Sequence, residues 1–263
     1  METRVKITFI PSKSKEEFGS FTISFIDQNG SVRSTGLKFN PKELWEFARD
    51  TTSVAFDFMI LAFIIYNADR AINRIANSID GWKRYIVLEN VPCVNFDEMH
   101  KSRSLFQHAI SFLTGDDWQI NFQQLTAFNY SPSKNIKTYD RTQYDLVSLF
   151  SGGLDSLIGF IDKVSELDNP KKLLLVSHME LGKERGDQDG ILEYCNSHNI
   201  FTERYSQVLL NAGLKKKFLE YTYKSGKYFS LPFLAFFRSR YLLCSWCRST
   251  YAIDCTRERN DIS

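Results

Sequence analysis

The sequence predicts an α/β protein built from two consecutive domains. In residues 141–263 hydrophobic strands alternate with helices, and that alternation is typical of a parallel sheet. In residues 1–140 strands and helices follow one another without such alternation, which predicts an α+β N-terminal domain. The polar segment 129–143 lacks periodicity and separates the two patterns, so it is the best candidate for a linker.

The N-terminal domain begins with two predicted strands and a tight turn. Apolar and β-branched residues predict strands at 4–10 and 21–27, and Asp27–Gly30 has turn composition. A helical pattern that starts at Pro41 is longer than 25 residues, so we expect a break near Thr51–Ser53. The patterns that follow predict a strand at 85–92, a helix between Asn95 and Gly115, and a strand at 118–125.

The C-terminal domain is predicted from alternating short elements with short connections. These elements are strand Leu146–Phe150, helix Leu154–Leu167, strand Leu173–His178, helix Gln188–His198 and a short strand Phe201–Tyr205. Such an order implies a parallel sheet with helices on both faces.

Composition narrows the classes of function. The formal net charge of +2 is too small to indicate nucleic acid or membrane binding by itself. The first residues lack an apolar signal core, and the apolar run Phe58–Tyr66 is too short to span a bilayer. Five cysteines without framework spacing suit reduced thiols, so we expect a cytoplasmic protein.

The stretch "SGGLDS", Ser151–Ser156, joins a predicted strand to a predicted helix. It lacks the lysine of a Walker loop, the spacing of a dinucleotide fingerprint, and the serine between two glycines of a hydrolase elbow. Gly152 and Gly153 allow backbone N–H groups to approach an anion closely. Together with the helix that begins near Leu154, these groups predict an anion nest at the positive end of a helix dipole.

The polar side chains of this stretch suit a nucleotide with a divalent cation. Ser151 and Ser156 offer hydroxyl donors, and Asp155 is a sensible ligand for Mg²⁺ beside a triphosphate. We therefore predict catalytic roles for Asp155 and Ser151. The structural alternative is a tight strand-to-helix turn with a serine or aspartate cap.

The loop, preceded by "LVSLF", resembles the PP-loop of the ATP pyrophosphatases, and within that group the chain is similar to the QueC-like, 7-cyano-7-deazaguanine synthase branch. "LLLVSHME" at 173–180 and "FFRSRYLL" at 236–243 add to the likeness. The resemblance implies a Rossmann-like, adenine nucleotide alpha hydrolase-like domain that uses ATP and Mg²⁺.

Three phrases of the N-terminal half resemble the leader domain of the QueC-like component of Qat anti-phage systems. They are "YNADRAINRI" at 66–75, "GWKRYIVLENVP" at 81–92 and "FLTGDDWQINF" at 112–122. The resemblance implies antiviral defence, with an ATPase and a nuclease of the same operon as partners.

The family resemblance also implies a reaction. ATP adenylates a deazaguanine-type carboxylate with release of pyrophosphate, and an amine nucleophile then displaces AMP, which makes the enzyme a C–N bond-forming ligase. Two alternatives stay open: a PP-loop tRNA-modifying enzyme, and a nucleotide-binding, non-catalytic subunit of a defence complex.

Further candidate residues lie outside the loop. Ser177 and His178 end the second parallel strand, where ligands of open α/β sheets bind, so we expect their backbone to meet adenine or ribose. Arg238 and Arg240 suit a clamp on phosphate or carboxylate, although a solvated helix start explains them equally well. We interpret Trp118 as a packing anchor. A weaker interpretation assigns a partner surface to Asp69, Arg70, Arg74, Trp82 and Arg84.

The C-terminal cysteines do not predict a zinc site. Cys244 and Cys247 form a CxxC pair followed by Cys255, but a fourth ligand is missing and the pair falls in a helical pattern. The apolar pattern stops abruptly near Leu243, and we expect the chain to be truncated there; a frameshift is our hypothesis for the cause. Such a truncation leaves an edge of the parallel sheet exposed.

Overall fold

One mixed β-sheet of eight strands organises the part of the chain that the structure describes. The structure is a computed structural model. It describes residues 2–27, 29–42, 45, 50–78, 80–133, 139–168, 170–179 and 182–214.

The sheet contains strands from both halves of the chain. The strands are β1 (Glu2–Ile10), β2 (Ser20–Ile26), β3 (Val32–Asn40), β4 (Tyr85–Cys93), β5 (Asp117–Gln124), β6 (Tyr144–Leu149), β7 (Lys172–Met179) and β8 (Tyr205–Leu214). Their order is β5-β4-β1-β2-β3-β8-β7-β6. The helices are α1 (Val54–Ala71), α2 (Arg74–Asn77), α3 (Phe96–Lys101), α4 (Arg103–Thr114), α5 (Leu154–Glu166) and α6 (Gly182–Ser197).

The C-terminal strands form the predicted parallel arrangement. β6 pairs with β7 and β7 with β8, both in parallel, and β6 is the outermost strand on that side among the described residues. β8 then pairs antiparallel with β3 through Asn211–Leu214 and Leu37–Asn40. The strands of both halves of the chain therefore continue into each other as one sheet.

Helices cover the C-terminal part of the sheet on both faces. Leu173 and Leu175 of β7 pack with α5 and α6 in one core cluster. Leu174 and Val176 point the other way, because successive side chains of a strand alternate, and they join the core that contains α1. Helices α5 and α6 of the C-terminal half thus cover one face of these strands, and α1 of the N-terminal half covers the other.

Helix α1 is buried almost all round. Fifteen of its residues are buried, from Phe56 to Ala71, and Ser53 caps its N-terminus by accepting from the Phe56 N–H. This start directly follows the expected break near Thr51–Ser53, and most of the helical pattern predicted before the break lies outside the described residues. Among the described residues no helix combines the length and hydropathy that a membrane span needs.

Several predicted turns are confirmed. Gly30 and Gly115 adopt φ angles of +75° and +73°, which are typical of glycine at a hairpin turn and a helix end. The helix predicted between Asn95 and Gly115 is divided, because the Ser102 N–H turns back to the Glu98 and His100 carbonyls between α3 and α4.

The predicted short strand Phe201–Tyr205 is wrong. Phe201 and Glu203 have left-handed φ angles of +54° and +61°, which an extended strand does not allow. The Phe201 side chain instead packs edge-on against Phe160, and the strand begins at Tyr205 and extends to Leu214. In addition, α6 begins at Gly182 instead of Gln188.

A buried ionic cluster joins α1, the start of β4 and the start of β5. Arg84 is 1% exposed and bonds to the carboxylates of Asp69 and Asp116 and to the Ile72 carbonyl. Arg74 donates to both oxygens of Asp116, at 2.8 and 2.7 Å. The two arginines and two aspartates therefore compensate each other's charge and serve as each other's hydrogen-bond partners.

The interpretation of this region as a partner surface is wrong for Asp69, Arg70 and Arg84, which are buried. Trp82 is 72% exposed. Trp118 is confirmed as a packing anchor: it is 4% exposed and its Nε1 donates to Thr114.

We predict that Asp116→Ala lowers the free energy of unfolding by about 3–5 kcal/mol, because it leaves the buried Arg84 guanidinium without its main partner. Urea denaturation measures the change. The control is Lys163→Ala, which breaks the exposed Lys163–Glu166 pair and should cost less than about 1 kcal/mol. Equal costs for the two variants would contradict a stabilising role for the cluster.

We predict that Cys93 resists alkylation in the folded protein. Burial, together with the nearby Asp57 carboxylate, raises the pKa of Cys93 to about 12. The neutral thiol thus contributes stability that is complete below the unfolded pKa of about 8.5 and is lost as the pH rises toward 12. Peptide mapping after iodoacetamide treatment at about pH 8 should find Cys93 modified in urea but not in buffer. Rapid modification in buffer would show that the thiol is accessible.

Candidate functional site

The loop between β6 and α5 has the placement that the sequence predicts. Phe150 is fully buried and its N–H donates to the Val176 carbonyl at 2.9 Å, which extends the β6–β7 pairing up to the loop. Helix α5 begins at Leu154, directly after the two glycines. The loop therefore lies at the carboxyl end of β6, where ligands of open α/β sheets bind.

The two glycines differ in conformation. Gly152 has a φ angle of +82°, and a Cβ atom added there would lie 3.1 Å from the Gln188 nitrogen. Gly153 is extended and exposed, and its nearest neighbour to such an atom is Ser151 Oγ at 3.5 Å. Gly152 is required by the packing of α6, whereas Gly153 keeps the outer side of the loop open.

The loop hydroxyls form a short chain of hydrogen bonds. Ser151 Oγ donates to Ser156 Oγ at 3.2 Å, and Ser156 Oγ donates to the Gly153 carbonyl at 2.8 Å. The Gly153 N–H contacts Ser151 Oγ at 3.4 Å. The two serines therefore hold each other on the solvent side of the loop.

The N-terminus of α5 has no side-chain cap. Its N-cap residue is Gly153, and no described side chain bonds to the first-turn N–H groups as a cap. These groups have no partner within the helix, and they carry the positive end of its dipole. The structure thus lacks the serine or aspartate cap that the structural alternative assumes.

Asp155 lies in the first turn of α5 and is exposed. Among the described residues, no group of three or more His, Cys, Asp or Glu side chains could hold a metal ion. A Mg²⁺ ion is commonly held in proteins by one or two carboxylates together with substrate phosphates and water. Asp155 fits this mode of binding and does not form a metal site built from protein ligands alone.

Ser177 and His178 lie beside the loop, and their side chains already make hydrogen bonds within the protein. Ser177 is buried, donates to the Phe150 carbonyl at 2.8 Å, and accepts from Gln207 at 2.9 Å. His178 Nε2 bonds to the Ala212 carbonyl at 2.7 Å, and its ring packs edge-on against Tyr66 of α1. Any contact between these residues and a ligand therefore comes from their backbone.

Sequence reasoning missed Gln188, on α6, as part of this site. It is 1% exposed, and its Nε2 lies 3.4 Å from the Ser151 carbonyl oxygen and 3.2 Å from that of His178. No motif marks this residue, because a glutamine in a polar helix is usually solvated. Only the packing of α6 against Gly152 identifies it.

Other residues considered from the sequence fall elsewhere. Arg238, Arg240 and the cysteines at 244, 247 and 255 lie outside the described residues. Comparison with protein-family models, curated proteins and solved structures finds no match to this chain. A function for this chain therefore has to be inferred from the geometry of the loop and from the sequence resemblance.

We predict that Gly152→Ala destabilises the protein and that Gly153→Ala does not. The first variant places a methyl group against the backbone of α6 in a left-handed conformation, which costs about 1–2 kcal/mol before any steric contact. The second meets only Ser151 Oγ, at an ordinary contact distance of 3.5 Å and in an extended conformation, and should cost less than about 1 kcal/mol. Urea denaturation of both variants gives the comparison, and equal losses would mean that the loop has a different conformation in solution.

Proposed function

We propose that the protein is an ATP-dependent PP-loop enzyme of the QueC-like type. One observation carries the proposal: an exposed Gly-Gly loop precedes the uncapped N-terminus of α5 at the carboxyl end of a parallel strand. Backbone N–H groups and a helix dipole attract an anion without a lysine. The resemblance of "SGGLDS" to the PP-loop makes ATP the anion we propose.

In this proposal the loop holds the pyrophosphate end of ATP. The N–H groups of Gly152 and Leu154 face the phosphates. The hydroxyls of Ser151 and Ser156, which bond within the loop in the structure, turn to the phosphates as further donors and release the Gly153 N–H. The backbone of Ser177 and His178 meets the adenine or ribose. Since these donors are positioned before the reaction, they stabilise the charge that develops on the departing pyrophosphate.

The proposed reaction has two steps. A carboxylate oxygen of a deazaguanine-type acid attacks the α-phosphorus of ATP, and the bond from that phosphorus to the bridging oxygen of pyrophosphate breaks. The nitrogen of an amine then attacks the activated carbonyl carbon, AMP leaves with its oxygen, and the amine loses a proton. A C–N bond is formed at the cost of one ATP.

Asp155 would hold the metal in this scheme. A magnesium ion supplies positive charge that neutralises the phosphates. Asp155 lies in the first turn of α5, at the positive end of the helix. Its exposed carboxylate can reach a phosphate-bound cation directly or through water.

The biological setting is a proposal from the resemblance of the N-terminal half. We propose an antiviral role in the cytoplasm, with an ATPase and a nuclease of a defence operon as partners. An ATPase gene and a metal-dependent nuclease gene next to this one would support that setting.

We predict that Ser151→Ala and Asp155→Ala each lower the rate of pyrophosphate release by about 10²–10³-fold, because each removes a group that contacts the reacting phosphates or their metal. The assay mixes the full chain with ATP, Mg²⁺ and a deazaguanine-type carboxylic acid, and it measures pyrophosphate.

The matched controls are Ser165→Ala and Asp162→Ala, which change exposed residues further along α5 and should leave the rate unchanged. Equal rates for the loop variants and the controls would remove the loop from the mechanism. Tight ATP binding by calorimetry without pyrophosphate release would favour the non-catalytic subunit.

A further inference from the structure

Gln188 occupies the space directly beneath the Gly-Gly loop. Its side-chain nitrogen lies within hydrogen-bond distance of two carbonyl oxygens, those of Ser151 after β6 and His178 near the end of β7. One amide group from α6 therefore ties together the carboxyl ends of two neighbouring parallel strands.

We infer that Gln188 is a positioning residue that sets the direction of the Ser151–Gly152 peptide group. A trans peptide group is planar, and its C=O and N–H point in opposite directions. Because the Ser151 carbonyl points toward Gln188, the Gly152 N–H points away from α6 and toward the ligand side of the loop. For the identity of that ligand, the pyrophosphate end of ATP, this inference rests on the proposed function.

Packing alone does not explain an amide at this position. Gln188 Oε1 is buried and has no hydrogen-bond partner among the described residues. An unpaired buried acceptor is unfavourable, and a leucine of similar size would avoid that cost. The useful part of the side chain is therefore its NH₂ group, which binds two carbonyl oxygens whose partial negative charge would otherwise repel an anion.

Gly152 lies against the same residue. An added Cβ atom at residue 152 would lie 3.1 Å from the backbone nitrogen of Gln188 and 3.2 Å from its Cγ. A side chain at position 152 would therefore push against Gln188 and the α6 backbone. A change at either residue should alter the effect of a change at the other.

Glutamate at position 188 provides a test that separates positioning from packing. It has nearly the same shape, but ionised it only accepts hydrogen bonds, and protonated it regains one donor. Burial beside two carbonyl oxygens raises the pKa of such a carboxyl group. The nearby titratable groups are Asp187 and Asp189 on α6, His178 on β7 and Asp155 on α5. All four are the same in the wild type and in both variants, which therefore differ only in the side chain at position 188.

The first experiment measures ATP binding in the presence of Mg²⁺ by calorimetry, from about pH 5.5 to 8.5. Gln188→Leu should bind roughly tenfold more weakly at every pH, which corresponds to the loss of one hydrogen bond. Gln188→Glu should match that loss at high pH and recover to within roughly threefold of wild type at low pH. The control is Gln119→Glu. Gln119 is an exposed residue of β5, at the other side of the sheet, and its variant should bind ATP as the wild type does at every pH. If the ratio of the Gln188→Glu dissociation constant to that of the wild type did not change with pH, the inference would be overturned.

The second experiment needs no ligand. It compares the melting temperatures of Gly152→Ala, Gln188→Leu and the double variant. If Gln188 holds the Gly152 peptide group, Gln188→Leu lowers the melting temperature less than half as much in the Gly152→Ala background as in the wild type. Additive shifts would overturn the positioning role. Failure of the wild type to bind ATP would remove the proposed function, and the melting comparison would still decide the role of Gln188.

Discussion

The direction of one peptide group, between Ser151 and Gly152, decides whether a carbonyl oxygen or an N–H group faces the candidate site. Its carbonyl is turned inward to Gln188, and the left-handed conformation of Gly152 carries the chain directly into α5. Backbone N–H groups and the helix N-terminus therefore face the same side. Positive potential arises there from dipoles that are fixed by packing, without a lysine in the loop.

The N-terminal half supports this arrangement from the opposite face of the sheet. α1 packs against the face that α5 and α6 leave uncovered, and Tyr66 contacts the ring of His178 at the end of β7. Since β4 runs antiparallel to β8, the buried Arg84 cluster at its start lies at the same edge of the sheet as the loop. The N-terminal half therefore contacts the strand next to the loop through Tyr66, and its ionic cluster lies at the same ends of the strands, on the far side of the sheet.

Features set by neighbouring residues could be predicted, and those set by distant contacts could not. The turn at Gly30, the helix end at Gly115 and the start of α5 at Leu154 depend on local backbone preferences, and all three were expected. Phe201 was expected in a strand because it is apolar, but its side chain fills a gap beside Phe160 from a turn. Arg84 was expected at a surface because it is charged, but two distant aspartates allow it to be buried.

Glycine spacing and hydrophobic alternation act over a few residues, and they were enough to predict the position of the loop, the helix that follows it and the parallel strands β6 and β7. The joining of the two halves in one sheet by β8 and the position of Gln188 under the loop became visible in the folded chain alone. Strand pairing and the hydrogen bonding of buried carbonyl groups depend on residues that are far apart in the chain. No local sequence pattern predicts which of these residues come into contact.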